Sequence, residues 1–229
     1  MNLGDTIDRE WRSYDAILAP LAASRHRWEH VLGNHDFALL DGEKTQVDAR
    51  LGIAARNRYF DRPGFRFVVL DTGAVSTYAS LAGTEARQEA VAELARVKAR
   101  KLPQAQDWNG AVGPKQLAWF EGVAADASRR GLKVVVFAHH PVAPAGAYDA
   151  WDATEVLASL GRHRNVVAWF NGHHHAGGFA QVEGLPCVTF HGMVETPDRN
   201  AFATARFLTD RVILDGHGRE SSRELVFRV

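Results

Sequence analysis

The chain has 229 residues, and its 27 lysines plus arginines balance its 27 aspartates plus glutamates, so the formal net charge at pH 7 is zero. That balance argues against a protein that binds nucleic acid or an anionic membrane through bulk positive charge. The single cysteine, Cys187, rules out an internal disulfide and favours a reducing, cytoplasmic location. The sequence predicts neither a signal peptide nor a transmembrane helix. Histidine is the distinctive residue, because six of the 11 histidines lie at just three places, 35, 139–140 and 173–175.

Helices and strands are predicted to alternate along most of the chain. In chain order the pattern predicts a helix at 8–24, strands at 30–32 and 65–71, helices at 84–101 and 114–130, a strand at 132–138, a helix at 152–161 and a strand at 165–170. The helix at 114–130 begins with proline and is followed by glycine, which is the usual punctuation of a helix. Asp152 and Glu155 resemble a capping box.

Beyond His175 the pattern predicts strands only, at 179–182, 186–190, 202–208, 211–214 and 224–227. The connections at 39–57 and 102–113 are too irregular to assign, and loops of that length are often functional. No linker or repeat divides the sequence. We therefore expect one layered α/β domain covering residues 1–229.

Four polar clusters each follow a predicted apolar strand. They are Asp5 after Leu-Gly, the run Asn34-His35-Asp36, the pair His139-His140, and NGHHH at 171–175. Strand ends on one edge of an open α/β sheet converge in space, so these side chains are expected to meet. Side chains alternate along extended chain, and His173 and His175 should therefore share a side while His174 points elsewhere.

The chemistry of these clusters points to a metal site. Each cluster alone fits a helix cap, a turn or the end of a strand, but four together favour metal ligands. Carboxylate, amide and imidazole ligands suit Mn, Fe, Zn or Co better than Ca or Mg, and the lack of thiolates argues against a structural zinc site. The spacing leaves open whether His139 or His140 is the ligand.

The chain resembles the calcineurin-like metallophosphoesterases, whose ordered motifs are matched by LGDTID at 3–8, GNHDF at 33–37, AHHP at 138–141 and GHHH at 172–175. A narrower resemblance, to the manganese-dependent ADP-ribose/CDP-alcohol diphosphatase branch, runs through 65–76, 108–120, 192–207 and 213–219. It covers nearly the whole chain. The resemblance implies a two-sheet α/β/β/α sandwich of the metallo-dependent phosphatase type. It also implies two divalent metal ions at the strand ends, with Mn favoured and Fe, Zn or Co as alternatives.

The resemblance implies roles for individual residues. The ligands that it implies for one metal are Asp5, Asn34, His139 and His173, with Asp5 bridging to the second metal. His175 matches a ligand of the second metal, and His35 matches the histidine beside the phosphate. Two cations about 3.5–4 Å apart can activate a water for attack on phosphorus. His35 can then stabilise or protonate the leaving oxygen, and Asp36 either orients the His35 ring or makes a turn contact.

Four further residues are candidates for contact with the substrate. Asn109 and Gly110 are candidates for binding phosphate, with a turn before a helix as the alternative. Phe37 is a candidate for the base or ribose, as is Tyr59, although aromatic residues more often belong to the core. Cys187 is expected to be a small buried core residue.

The predicted function is metal-dependent hydrolysis of a phosphoric ester or anhydride. The bond expected to be cleaved is the anhydride in the diphosphate of ADP-ribose or CDP-alcohols. The expected partner is a small nucleotide, with no nucleic acid and no membrane. Two alternatives are a cyclic-nucleotide or other phosphodiesterase, and a truncated metal-binding remnant with impaired catalysis. Release of AMP or CMP on addition of manganese would separate the hydrolase from the remnant.

One part of the family pattern is not matched. The family begins with a strand ending in Asp-x-His, or Asp-x-Gln/Asn in this branch, which supplies ligands to the metal bound by His175. Residues 1–3 resemble the tail of the second strand instead. We therefore expect an N-terminally incomplete sandwich lacking its first strand, which binds one metal strongly, a second only at high concentration, and has low activity.

Overall fold

A computed structural model describes residues 1–7 and 10–228 of the chain. Its helices are α1 (Ser13–Ala23), α2 (Asp41–Lys44), α3 (Val47–Arg50), α4 (Glu85–Ala99), α5 (Pro114–Arg129) and α6 (Ala153–Gly161). Its strands are β1 (Arg58–Arg62), β2 (Phe65–Val69), β3 (Lys133–Phe137), β4 (Val166–Asn171), β5 (Gly178–Val182), β6 (Leu185–Thr189), β7 (Ala201–Phe207), β8 (Arg211–Gly218) and β9 (Arg223–Val226). A short 3-10 helix covers His35–Phe37. No helix in the described ranges is both long and apolar enough to cross a membrane.

The described strands form two sheets. The larger has the order β1-β2-β3-β4-β6-β5, in which β2, β3, β4 and β6 are parallel and the two edge strands are antiparallel. The smaller is the antiparallel sheet β7-β8-β9. Every residue of β2 and β4 is buried, as expected for central strands of a parallel sheet that is covered on both faces. The parallel order brings the carboxyl ends of β3 and β4 to one edge.

Hydrophobic side chains fill the space on both faces of the larger sheet. On one face, Trp169 of β4 packs in a buried cluster with Phe120 of α5 and Leu160 of α6. On the other face, Phe137 of β3 packs in a second cluster with Leu214 of β8. The layers are therefore helices, the larger sheet and the smaller sheet, and burial of apolar surface between them is the main stabilising term.

A third cluster lies beside the carboxyl edge of the larger sheet. It joins Tyr14 of α1 and Val47 of α3 to Ile7, Leu32 and Phe37, which flank the polar motifs at 4–6 and 33–36. The motif loops are thus anchored by apolar neighbours on either side. This packing is what lets polar side chains from distant parts of the sequence face one another.

Most predicted elements are present, with shifted ends. The first helix begins at Ser13 and not at 8, and Asp8 lies outside the described residues. The strand predicted at 30–32 is wrong, because it forms a single parallel bridge between His30 and Asn2. The hairpin strand β1 was not predicted, since three of its five residues are charged. The strand predicted at 211–214 extends to Gly218, because β7 pairs with it along its whole length.

The predicted capping box at α6 is wrong. Asp152 makes no side-chain bond to the first turn of the helix. Its carboxylate accepts hydrogen bonds from the backbone N–H groups of Val112 and Gly113, at 3.1 and 2.8 Å. Asp152 therefore fixes the segment before α5, a long-range contact that competes with the local cap. The irregular segment at 39–57 contains the short helices α2 and α3.

Candidate metal centre

Four acceptor atoms from four distant segments converge at the carboxyl edge of the larger sheet. Nε2 of His139 lies 3.1 Å from Nδ1 of His173, 3.2 Å from Oδ1 of Asn34 and 3.3 Å from Oδ2 of Asp5. Two ligand atoms that each lie about 2.1 Å from one ion, at a right angle, are about 3 Å apart. The four atoms therefore have the spacing of ligands to one divalent cation.

The fold accounts for this convergence. His139 lies two residues beyond β3 and His173 two residues beyond β4, and the backbone N–H of Gly172 donates to the carbonyl of His139 at 3.1 Å. Asp5 follows the segment at residue 2 that pairs with 29–31, and Asn34 follows that second segment. Neighbouring parallel segments thus end side by side, as the sequence predicted.

Backbone contacts set the tautomer of His139. Its Nδ1 lies 2.7 Å from the carbonyl oxygen of Leu3, which can only accept, so Nδ1 carries the proton. In the neutral ring, Nε2 then presents a lone pair to Asp5 and to Asn34. Oδ2 of Asp5 is buried and no hydrogen-bond donor to it is present among the described residues. A buried carboxylate oxygen that faces only lone pairs is destabilised, and a cation bound beside it would compensate its charge.

Asn109 sets the tautomer of His173 in the same way. The amide nitrogen of Asn109 donates to the carbonyls of Gln104 and Ala147, at 3.0 and 2.7 Å, which fixes the orientation of the amide. Its Oδ1 therefore accepts from Nε2 of His173 at 2.9 Å. Nδ1 of His173 is left as a lone pair directed at His139. This is the arrangement by which an outer hydrogen bond orients a histidine ligand.

The electrostatics also favour positive charge between these residues. Burial raises the pKa of Asp5, but the adjacent His139 and the hydrogen bonds that Asp5 accepts outweigh burial and bring that pKa to about 2. Burial lowers the pKa of His139, and the Asp5 carboxylate outweighs it, so that pKa lies above its ordinary value. Burial and the neighbouring histidines His140 and His139 hold the pKa of His173 well below its ordinary value. A proton on His139 or a metal cation can supply the charge that Asp5 requires.

The backbone at two of these residues is in the left-handed region. Asp5 has a φ of 52° and His173 a φ of 66°. Asp and His enter this region more often than most residues, but it costs of the order of 1–3 kcal/mol at each position. Such strain is typical of functional sites, where the surrounding packing holds a side chain in place.

Asp36 is fully buried and ties the two N-terminal motif loops together. Its Oδ1 accepts from the backbone N–H groups of Thr6 and Ile7, at 2.9 and 3.3 Å, and its Oδ2 accepts from that of Gly33 at 2.9 Å. Burial and then the negative charge of Asp5 raise the pKa of Asp36 to about 6. These contacts support the turn interpretation of Asp36.

Two motif glycines make room for the centre. A Cβ at Gly33 would lie 2.1 Å from Oδ1 of Asp5, and a Cβ at Gly4 would lie 2.2 Å from Nδ1 of His139. Heavy atoms cannot approach so closely, so any side chain at either position would displace a predicted ligand. The glycines of LGD and GNHD are therefore explained by close packing around the ligands.

We expect Gly33→Ala to weaken manganese binding by about 10–100-fold, because the added methyl group must move Asp5. Gly42→Ala is the matched control, since Gly42 lies in α2 and nothing lies within 4 Å of an added Cβ there. Calorimetric titration with manganese measures both variants. Unchanged affinity in Gly33→Ala would show that Asp5 is not a ligand.

The remaining predicted site histidines lie around this cluster. The backbone N–H of His35 donates to Oδ1 of Asp5 at 2.9 Å. His175 is partly exposed, its Nδ1 contacts Oε1 of Glu195, and its charge contributes to the low pKa of His173. The structure therefore places both His35 and His175 near the four-atom cluster.

His140 is the histidine that the sequence could not separate from His139. Its ligand atoms lie within 4.8 Å of those of His139 and His173. Both of its ring nitrogens are engaged, however, with Thr72 Oγ1 at 2.7 Å and with the carbonyl of Trp108 at 3.4 Å. Burial and the adjacent His139 lower its pKa to about 3. His140 is thus held as a neutral, internally bonded ring.

The residues predicted to contact substrate lie in different surroundings. Asn109 is fully buried and its side chain bonds Gln104, Ala147 and His173. Gly110 is buried beside Thr72, and phosphate binding by either residue stays a prediction.

Phe37 is a core residue, 2 % exposed. Phe37 belongs to the apolar cluster with Tyr14 and Val47, which supports the core interpretation. Tyr59 is 46% exposed and its ring contacts Arg66 and Trp119, so it is not a core residue.

Cys187 is buried in β6, as expected, and burial raises the pKa of its thiol to about 12. Two contacts to the candidate ligands could not be predicted from the sequence. Leu3 contributes only a carbonyl and carries no side-chain signal. Glu195 lies 20 residues beyond its partner His175, and no local spacing rule connects them.

Comparison with known proteins agrees with this geometry. The model of the calcineurin-like phosphoesterase family matches residues 1–177. The chain is similar to the manganese-dependent ADP-ribose/CDP-alcohol diphosphatases of Bos taurus (31% identity, covering 100% of this chain and 79% of that protein) and Danio rerio (29%, 96% and 80%).

The fold is similar to the crystal structure of a dimetal phosphatase from Danio rerio. The TM-score is 0.88 at 27% identity, over 98% of this chain and 82% of that one. The predictions of a two-sheet α/β fold and of dependence on divalent metal are confirmed. The chain belongs to the calcineurin-like phosphoesterase family and is a metal-dependent hydrolase.

Proposed function

We propose that this chain cleaves the diphosphate of small nucleotide conjugates such as ADP-ribose or CDP-alcohols, with manganese as its metal. The proposal depends on the convergence of four side chains, Asp5, Asn34, His139 and His173. When the two histidines are neutral, the four converging atoms are all acceptors, and no hydrogen lies between them. The substrate class is supported by similarity to proteins named as manganese-dependent ADP-ribose/CDP-alcohol diphosphatases. A single buried thiol agrees with action in the cytoplasm, by one domain that covers the chain.

Each ligand residue has a distinct role in this proposal. Asn34, His139 and His173 would hold one divalent ion, His175 would hold a second, and Asp5 would contribute its carboxylate to both. When bound, the two ions activate water and neutralise the charge that develops on the phosphoryl oxygens. The tautomers set by Leu3 and Asn109 keep the ligand nitrogens deprotonated and directed inward.

His35 is proposed to assist the leaving group. Its backbone N–H donates to Oδ1 of Asp5 at 2.9 Å, an anchor that does not use the imidazole. A protonated imidazole can donate a proton to a leaving oxygen. His35 would thus donate a hydrogen bond or proton to the oxygen that departs when the anhydride is cut.

A side-by-side assay tests the substrate class. ADP-ribose, CDP-choline, cyclic AMP and a chromogenic phosphate monoester are incubated with the chain and with saturating manganese, and products are separated by chromatography. We expect AMP from ADP-ribose and CMP from CDP-choline to appear fastest. Faster turnover of cyclic AMP or of the monoester would contradict the diphosphatase proposal. The same reactions with a chelator are the control, in which all turnover should cease.

A further inference from the structure

We propose that Glu195 is a positioning residue for the second divalent ion, and that it acts by holding the ring of His175. The proposal rests on the proposed function, in which His175 is a ligand of that ion. It goes further by assigning a role to a carboxylate from the segment that leads into the smaller sheet. Two independent features carry it, the contact between the side chains and the way the segment around Glu195 wraps His175.

The contact with Glu195 determines which nitrogen of His175 is available. Oε1 of Glu195 contacts Nδ1 of His175, and a carboxylate oxygen can only accept. The proton therefore lies on Nδ1, and Nε2 carries the lone pair. His139 and His173 have the same arrangement, in which one nitrogen donates to a protein oxygen and the other faces the centre. His175 has a corresponding outer hydrogen bond, with a carboxylate as the acceptor, and its Nε2 is the nitrogen that can bind a metal.

A carboxylate is a stronger outer acceptor than a carbonyl. It polarises the imidazole, raises the basicity of the opposite nitrogen and so strengthens the bond to a metal. His139 is buried and His173 is half-buried, whereas the side chain of His175 is 46% exposed. Because fewer neighbours enclose the His175 ring, its orientation depends more on a directional partner.

The segment around Glu195 packs against His175. The backbone N–H of Gly192 donates to the carbonyl of His175 at 3.0 Å. A Cβ at Gly192 would lie 2.9 Å from Cγ of His175, so only glycine permits this approach. Arg219 donates a hydrogen bond to the carbonyl of Gly192 from the other side. The segment therefore touches His175 through both backbone and side chain.

A buried carboxylate anchors the start of this segment. The side chain of Glu220 is fully buried, and its Oε2 accepts from the backbone N–H of His191 at 2.8 Å and lies 3.1 Å from Nδ1 of His191. Its Oε1 accepts from Arg223 at 2.8 Å. The anchor fixes residue 191 independently of Glu195. Loss of the Glu195 side chain should therefore leave the path of the segment intact.

The test measures metal binding directly. Wild type, Glu195→Ala, Glu195→Gln, His175→Ala and the double variant His175→Ala/Glu195→Ala are titrated with manganese to millimolar concentration. Calorimetry gives both dissociation constants, electron paramagnetic resonance reports coupling between ions, and thermal unfolding reports stability. Asp198→Asn is the matched control, because Asp198 is an exposed carboxylate of the same segment.

We expect Glu195→Ala to raise the Kd of the weaker manganese about 10–100-fold and to leave the tighter Kd and the unfolding temperature nearly unchanged. Glu195→Gln keeps an oxygen that can accept from Nδ1 and should retain most of the affinity. In the His175→Ala background, loss of Glu195 should have no further effect, since the two act as a unit. Asp198→Asn should behave as wild type.

Three results would overturn the proposal. They are an unchanged weaker site in Glu195→Ala, equal weakening of both sites together with a lower unfolding temperature, and binding of a single manganese by the wild-type chain. Failure of the proposed function is a separate result. A chain that binds two manganese ions with the expected dependence on Glu195, but cuts no diphosphate, would refute the substrate and leave the role of Glu195 standing.

Discussion

His173→Ala should remove the tightly bound manganese, about one equivalent per chain, and lower kcat by roughly 10³-fold or more, because activation of water depends on the cations. The imidazole supplies one of four converging acceptors, and Asn109 fixes its tautomer. Removing it leaves Asp5, Asn34 and His139, of which only Asp5 carries charge. Metal analysis after gel filtration and steady-state kinetics on ADP-ribose measure the two effects.

His174→Ala is the matched control for this experiment. The His174 ring stacks on Tyr148, with ring centroids 4.3 Å apart and planes 13° apart, and it is the neighbour of His173 in sequence. Its loss should change neither metal content nor kcat appreciably. Retained metal in His173→Ala, or a large loss of metal in His174→Ala, would contradict the assignment of the triple histidine.

His35→Ala is expected to lower kcat by roughly 10²–10⁴-fold with metal content nearly unchanged, because a general acid is lost and no ligand is lost. The hydrogen bond from residue 35 to Asp5 comes from the backbone, so alanine keeps it. Metal analysis distinguishes the two roles. Loss of an equivalent of manganese would place His35 among the ligands.

A substrate with a better leaving group sharpens the test of His35. A leaving oxygen of low pKa needs little protonation, so the loss in His35→Ala should shrink on an activated phosphodiester such as a nitrophenyl ester. His26→Ala is the control, since His26 is an exposed histidine. An equal loss on activated and natural substrates would argue that His35 binds phosphate and does not donate a proton.

The placement of the site followed from the sequence. Apolar strands that end in Asp, Asn or His indicate a shared sheet edge, and the structure brings Asp5, Asn34, His139 and His173 to that edge. This worked because the strands β3 and β4 are nearly continuous runs of apolar residues, a signal that depends on local sequence alone. The strand at 30–32 failed because its pairing is a single bridge.

The aromatic and amide contacts could not be predicted in the same way. Phe37 is the last residue of the motif GNHDF, but its ring packs in the cluster with Tyr14 and Val47, because burial of an apolar ring is favourable. Asn109 precedes a helix, yet its amide makes hydrogen bonds to Gln104, to Ala147, which is 38 residues away, and to His173, which is 64 residues away. Whether such a residue meets substrate or protein depends on which loops fold over it.

The residue types of the candidate ligands, their order along the chain and the strand ends at which they lie could be read from local sequence. Which nitrogen of His139 and of His173 carries the proton depends on long-range packing. His139 is oriented by the carbonyl of Leu3, 136 residues away, and His173 by Asn109, 64 residues away. A backbone carbonyl has no signature in sequence, and hydrogen bonds between distant segments exist only once the sheets and loops have packed. Local periodicity therefore indicates the position of a candidate ligand in the fold, and long-range contacts determine the orientation of its side chain.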